Sequence, residues 1–125
     1  MGVLVDTSVW VAHFRQRNSA LTELLELDMV LTHPMVLGEL ACGTPPARAQ
    51  TLADIESLKQ TQQATLREVL DFIDQEKLHG LGCGLVDVIL LASTLMTPGT
   101  AIWTLDKRLS ALSDRFRVLH RSIQR

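Results

Sequence analysis

The sequence predicts an α/β fold of the doubly wound kind, with a central parallel sheet of about four strands flanked by helices. Three observations carry that expectation. Short, continuous, largely β-branched runs (GVLV, MVLT, AIWT and RVLH) alternate with longer stretches whose apolar residues recur at helical spacing. That is the pattern of strands buried on both faces and of the helices that cover them. A chain of 125 residues, 46% hydrophobic and 21% charged, has the size of one domain spanning 1–125 and can bury about two-thirds of the surface its unfolded form exposes. No internal repeat, linker or low-complexity segment interrupts it.

The elements follow in order. GVLV is a buried strand, and Asp6, Thr7 or Ser8 can cap the short helix DTSVWVAHFR that follows it. SALTELLEL is a helix and MVLT a second strand. HPMVLGELACG reads as a helix with Pro34 in its first turn and Gly43 at its end. PPARAQTLADIESLKQ and ATLREVLDFIDQEKL are amphipathic helices joined by the polar TQQ, the second closed by Gly80. LVDVILLASTLM is apolar enough to be a largely buried helix, stopped by Pro98 and Gly99. AIWT is a third strand, DKRLSALS a short helix, and RVLH a fourth strand at an edge.

Composition excludes several classes. Cys42 and Cys83 are too few and too far apart for a disulfide framework, and no C-x-x-C pair suggests zinc. The N-terminus has no basic region leading into a long apolar stretch, and the most apolar segment carries Asp87 and is far too short to span a membrane. The expectation is a soluble cytoplasmic protein without a membrane partner. Net charge is −2, yet half of the twelve Lys and Arg residues (Lys107, Arg108, Arg115, Arg117, Arg121 and Arg125) fall in the last twenty positions. Residues 23–87 hold eleven acids against four bases. A basic rim beside an acidic interior attracts phosphates while holding divalent cations at its centre; a merely solvated tail is the plainer alternative.

Four acids stand in apolar company: Asp6 in VLVDTSVW, Glu39 in MVLGELACG, Asp87 in LGCGLVDVILLAS and Asp106 in AIWTLDKRL. A carboxylate in apolar surroundings costs several kcal/mol unless it is protonated, paired or bound to a metal. In a parallel α/β sheet, residues at the carboxyl ends of the strands face a shared crevice, which brings Asp6 and Asp106 together. Several carboxylates at one place are the chemistry of Mg²⁺ or Mn²⁺, hard cations that take oxygen ligands and activate water for attack on phosphorus. Ser8 and Thr104, each two residues from an acid, can orient carboxylates or waters; helix capping and strand propensity explain them equally well.

LVDTSVWVAHFR, GELACG, GLVDVILLAS and IWTLDKRL resemble the four signature segments of PIN-domain ribonucleases, specifically the VapC type of toxin in bacterial toxin–antitoxin pairs. The resemblance spans nearly the whole chain in order and spacing. It implies a Mg²⁺-dependent endoribonuclease (Mn²⁺ being a substitute) with Asp6, Glu39, Asp87 and Asp106 as its catalytic acids. Asp6, Asp87 and Asp106 would hold the metal, Glu39 would position or deprotonate the attacking water, and Ser8 and Thr104 would support them. Lys107 and Arg108 would meet the RNA substrate. A homodimer is implied, inhibited by a cognate antitoxin protein that alone contacts DNA. Products would carry a 5′-phosphate and a 3′-hydroxyl.

Other features carry less. GLGCG follows a helix and not a strand, so it is better read as backbone freedom before Asp87 than as a phosphate cradle. The four histidines show no metal-ligand spacing, the cysteines read as small apolar fillers, and Trp10 and Trp103 as core. The patterns of two other aspartate-bearing doubly wound families, metal-dependent phosphatases and phospho-accepting receivers, are not met: Ser8 stands where the former need a second aspartate. A non-catalytic, partner-binding module is the remaining rival.

Overall fold

The computed structural model describes residues 1–122; Arg125 of the basic tail lies outside them. The element order is β1 (Gly2–Val5), α1 (Thr7–Arg15), α2 (Ser19–Glu26), β2 (Val30–Leu31), α3 (Pro34–Ala41), α4 (Arg48–Glu56), α5 (Leu66–Glu76), α6 (Leu85–Leu95), β3 (Thr100–Trp103) and α7 (Lys107–Arg115). The sheet is parallel, in the order β2-β1-β3.

β1 is central because all four of its residues are buried; a strand flanked on both edges and covered on both faces has no polar side to offer water. Val3 stands opposite Val30 and Ala101, and Val5 opposite Trp103. Gly2 leaves room for its neighbour: a Cβ there would lie 2.7 Å from Leu31 Cδ1 and force that side chain to shift. One face of the sheet is closed by α6, buried without a break from Val88 to Thr94. Val9, Trp10, Leu21, Val36, Val69, Leu109 and Leu112 complete the core around it. Each such side chain contributes roughly 1.5–3 kcal/mol by leaving water.

The structure corrects the expected boundaries in a few places. The sheet has three strands among the described residues, not four. RVLH contributes a single parallel bridge, Ile102 to Leu119, its short pairing recorded in the Ile102 N–H donating to Val118 (2.7 Å) and the His120 N–H to Ile102 (2.8 Å). Arg117, at φ 60°, turns the chain back after α7 toward this bridge. A matching bridge, Thr32 to Gln60, extends the opposite edge. α5 closes on Lys77 in the left-handed region, three residues before Gly80. Cys42 is exposed and fills no core.

One buried polar pair joins α3 to α6. His33 is 3% exposed; its Nδ1 accepts the Met35 N–H (3.0 Å), capping α3, while Nε2 meets Ser93 Oγ of α6 at 3.1 Å. Since Nδ1 accepts, the proton sits on Nε2 and Ser93 Oγ receives it. Ser93 Oγ also takes the Ala64 N–H (3.1 Å). Burial lowers the His33 pKa from its usual 6.5. The unfolded chain therefore takes up a proton at higher pH than the folded one, and the stability His33 contributes is present above about 6.5 and lost as pH falls toward its folded value. His33→Asn, which keeps a capping oxygen, should cost about 1–3 kcal/mol at pH 7. In thermal melts the gap from the parent should narrow between pH 7 and pH 5; a gap that stays constant would contradict this assignment.

Candidate active site

Parallel pairing puts the carboxyl ends of the strands on one edge, and the turns leaving that edge carry the chemistry. Asp6 follows β1 directly, its N–H donating to the Trp103 carbonyl at 2.9 Å. It occupies the N-cap of α1, yet its side chain makes no capping bond. Oδ2 instead accepts Ser8 Oγ at 2.8 Å and Thr104 Oγ1 at 2.7 Å. Those hydroxyls in turn accept backbone donors from the turn after β3: the Leu105 N–H reaches Ser8 Oγ (3.0 Å) and the Asp106 N–H reaches Thr104 Oγ1 (3.1 Å). The clasp fixes one oxygen of Asp6 and leaves Oδ1 without a hydrogen bond among the described residues. At 4% exposure, Asp6 is the buried acid of the four.

Asp87 lies half-buried in the first turn of α6. Its carboxyl is pushed up to about 6, by burial first and then by the charges of Asp6, Asp106 and Glu39, against a backbone hydrogen bond from Gly84 that favours the charged form. All four acids therefore share one electrostatic neighbourhood. Asp106 is the N-cap of α7, its Oδ1 accepting the Leu109 N–H at 2.8 Å. Glu39 projects from α3, and its Oε1 accepts Thr7 Oγ1 at 2.7 Å. Both are exposed, so the burial argument made from sequence applies to Asp6 and in part to Asp87; Asp106 has instead the helix-capping role.

No described cation neutralises this group: the ion pairs are Arg67–Asp71 and Arg121–Asp114, away from it. Lys107 and Arg108 are exposed on the first turn of α7, and Arg108 Nη1 donates to the Gly82 carbonyl at 3.1 Å. Cys83 stands beside the acids: burial and then Asp87 and Asp106 push its thiol up, and Arg108 pulls it down. In kind, four carboxylates with no ion pair to any of them among the described residues fit a hard divalent cation. As placed, no three described His, Cys, Asp or Glu side chains converge closely enough to hold an ion.

Two residues escaped the sequence reading. Thr7 was weighed only as a cap, although a hydroxyl beside Asp6 was visible; what ties it to Glu39 is a contact across 32 positions. Gly84 acts through its backbone, which no residue type announces. Two concavities lie elsewhere, one of about 630 Å³ lined by Arg17, Glu23, Leu27 and His120, and one of about 450 Å³ walled by Trp10, Phe14, Asp54 and Leu58. No helix among the described residues is long and apolar enough to cross a membrane.

A family profile described as PIN domain matches residues 3–114, a span that includes all four acids. Ribonuclease VapC32 of Mycobacterium tuberculosis, from strain CDC 1551 / Oshkosh and from strain ATCC 25618 / H37Rv, is 42% identical to this chain over 109 residues, 87% of this chain and 88% of that protein. With its parallel sheet and its acids gathered at one edge, the chain belongs to the PIN-domain family, within it to the VapC type.

Proposed function

We propose that this protein is a divalent-metal-dependent endoribonuclease, the toxin of a toxin–antitoxin pair, held in check by a cognate antitoxin. The observation that carries the reading is the raised carboxyl of Asp87 beside the charges of Asp6, Asp106 and Glu39, none of which is in an ion pair among the described residues. A site that gathers negative charge at the end of a parallel sheet is matched to a cation, and the ribonuclease name of the VapC32 relatives supplies the reaction class. Mg²⁺ is the expected ion, with Mn²⁺ as a substitute. The partners of this reading are RNA, the antitoxin and a second copy of the chain; DNA is met only through the antitoxin. The place of action is the cytoplasm.

Asp6, Asp87 and Asp106 would hold the ion. Bound there, a divalent cation lowers the pKa of a water and offsets charge building on the phosphate. The chain's own residues do the rest. Ser8 and Thr104 lock Asp6 by one oxygen, so that Oδ1 remains available without reorganisation. Asp106 keeps one oxygen on the backbone of α7, fixing the direction of the other. Glu39, steadied by Thr7, takes the proton from the attacking water. Lys107 offers a positive charge to the RNA backbone. Cleavage on this scheme leaves a 5′-phosphate and a 3′-hydroxyl.

Asp6→Asn keeps the size and the hydroxyl contacts but removes the charge. Cleavage of total RNA by protein freed of its partner should fall at least about a hundredfold, the scale of losing one preorganised electrostatic group, and EDTA should abolish it in the parent. A folded Asp6→Asn protein that cuts at the parental rate would refute the assignment.

Asp87 yields a second expectation with a defined sign. Its folded carboxyl titrates at about 6, above the ordinary 3.8, so folding binds a proton in that window and metal-free stability declines as pH rises through it. In EDTA, Asp87→Asn should melt higher than the parent at pH 7, with the advantage shrinking as pH drops toward 4. Equal melting at both pH values would contradict the repulsion.

A further inference from the structure

We infer that Arg108 is a positioning residue, a clasp that fixes the glycine-rich approach to α6 and thereby the direction of the Asp87 carboxylate. The inference rests on the metal-site reading above and reassigns a residue expected from sequence to meet the substrate.

The segment before α6 has little to hold it. Gly80 and Gly82 adopt φ of 74° and 83°, a region open to glycine at low cost but bought with extra freedom in the unfolded chain. Among the described residues, residues 80–83 make one hydrogen bond, from Arg108 Nη1 to the Gly82 carbonyl at 3.1 Å. The guanidinium also packs against Gly82 itself: a Cβ there would fall 2.9 Å from Cζ and Nη1 and 3.0 Å from Cδ. Gly82 is thus glycine for its φ, and a side chain there would push the arginine off it.

Two residues later the same backbone reaches Gly84, the N-cap of α6, which has no side chain with which to cap. The Gly84 backbone favours the charged form of Asp87, which stands three residues on, in the first turn of α6. The connection therefore runs from Arg108 to Gly82 and along the backbone through Gly84 into the turn of α6 that carries Asp87. Arg108 is two residues beyond Asp106 in the turn that Asp106 caps, so one side chain ties the segment that presents Asp87 to the helix that presents Asp106. Arg108 is not among the charges that shift Asp87; its effect on that acid is geometric.

Charge and geometry predict opposite signs, which makes the test decisive. Removing a cation near an acidic site should strengthen binding of another cation if charge alone matters. Losing an outer contact that orients a ligand weakens a metal site by 10–100-fold. Mn²⁺ binding, followed by the loss of the free-ion electron paramagnetic resonance signal in protein without RNA, should weaken roughly tenfold in Arg108→Gln, the low end of that range. Gly82→Ala, which disturbs the same contact from the other side, should weaken it similarly, and Arg108→Lys should recover part of the loss. Binding of a labelled single-stranded RNA oligonucleotide in EDTA should keep its salt dependence in Arg108→Gln.

Mn²⁺ affinity in Arg108→Gln equal to or above the parental value would overturn the inference. A fall of about one in the salt slope would make Arg108 a phosphate contact instead. A parent that binds no Mn²⁺ would sink the metal-site reading, and this inference with it.

Discussion

Mutual repulsion among acids at the end of a parallel sheet is the constraint around which this protein is arranged. Asp6, nearly buried, Asp87, half-buried, and the exposed Asp106 and Glu39 act on one another closely enough to hold the Asp87 carboxyl well above its ordinary range. Nothing in the packing requires four carboxylates at that edge. The apolar core below them is continuous, and Asn or Ser at any of the four positions would relieve the strain. Stability given up at one place while the remainder of the fold is well packed is what the proposed site would require.

The fold tolerates this charge by placing it where partial positive charge already exists. In a parallel sheet the turns leaving the carboxyl edge run into helices, whose first turns present free N–H groups and the positive end of the helix dipole. Asp6 is the N-cap of α1, Asp87 lies in the first turn of α6 and Asp106 is the N-cap of α7. Only Asp106 spends an oxygen on capping its helix. Asp6 is held by two hydroxyls, Asp87 is favoured in its charged form by the Gly84 backbone, and Glu39, from the body of α3, is held by Thr7 at the start of α1. Each acid is thus steadied by neutral donors, which orient a carboxylate without cancelling its charge.

The alternation of short β-branched runs with amphipathic stretches was enough to place every strand and helix, because burial on both faces leaves a plain pattern in GVLV and in LVDVILLAS. Edges were less legible. RVLH has strand composition, but whether it pairs for one residue or four is a tertiary matter that composition does not encode. Lys77 ends α5 in a conformation usually left to glycine, so Gly80 was the natural, mistaken choice. At the site, acid positions were readable because charge in apolar company is anomalous, and Ser8 and Thr104 because each lies two residues from an acid. The pairing of Thr7 with Glu39 and of Arg108 with Gly82 joins residues 32 and 26 positions apart. Periodicity carries no information about such contacts, and even the presumption that all four acids are buried failed for Glu39 and Asp106.

The most direct measurement is a carbon-13 NMR titration of the Asp87 side-chain carboxyl in metal-free protein, repeated with saturating Mg²⁺. The account predicts a midpoint of about 6 without metal and a shift to markedly lower pH when the ion is added. An Asp87 midpoint near the ordinary 3.8, unmoved by Mg²⁺, would contradict it.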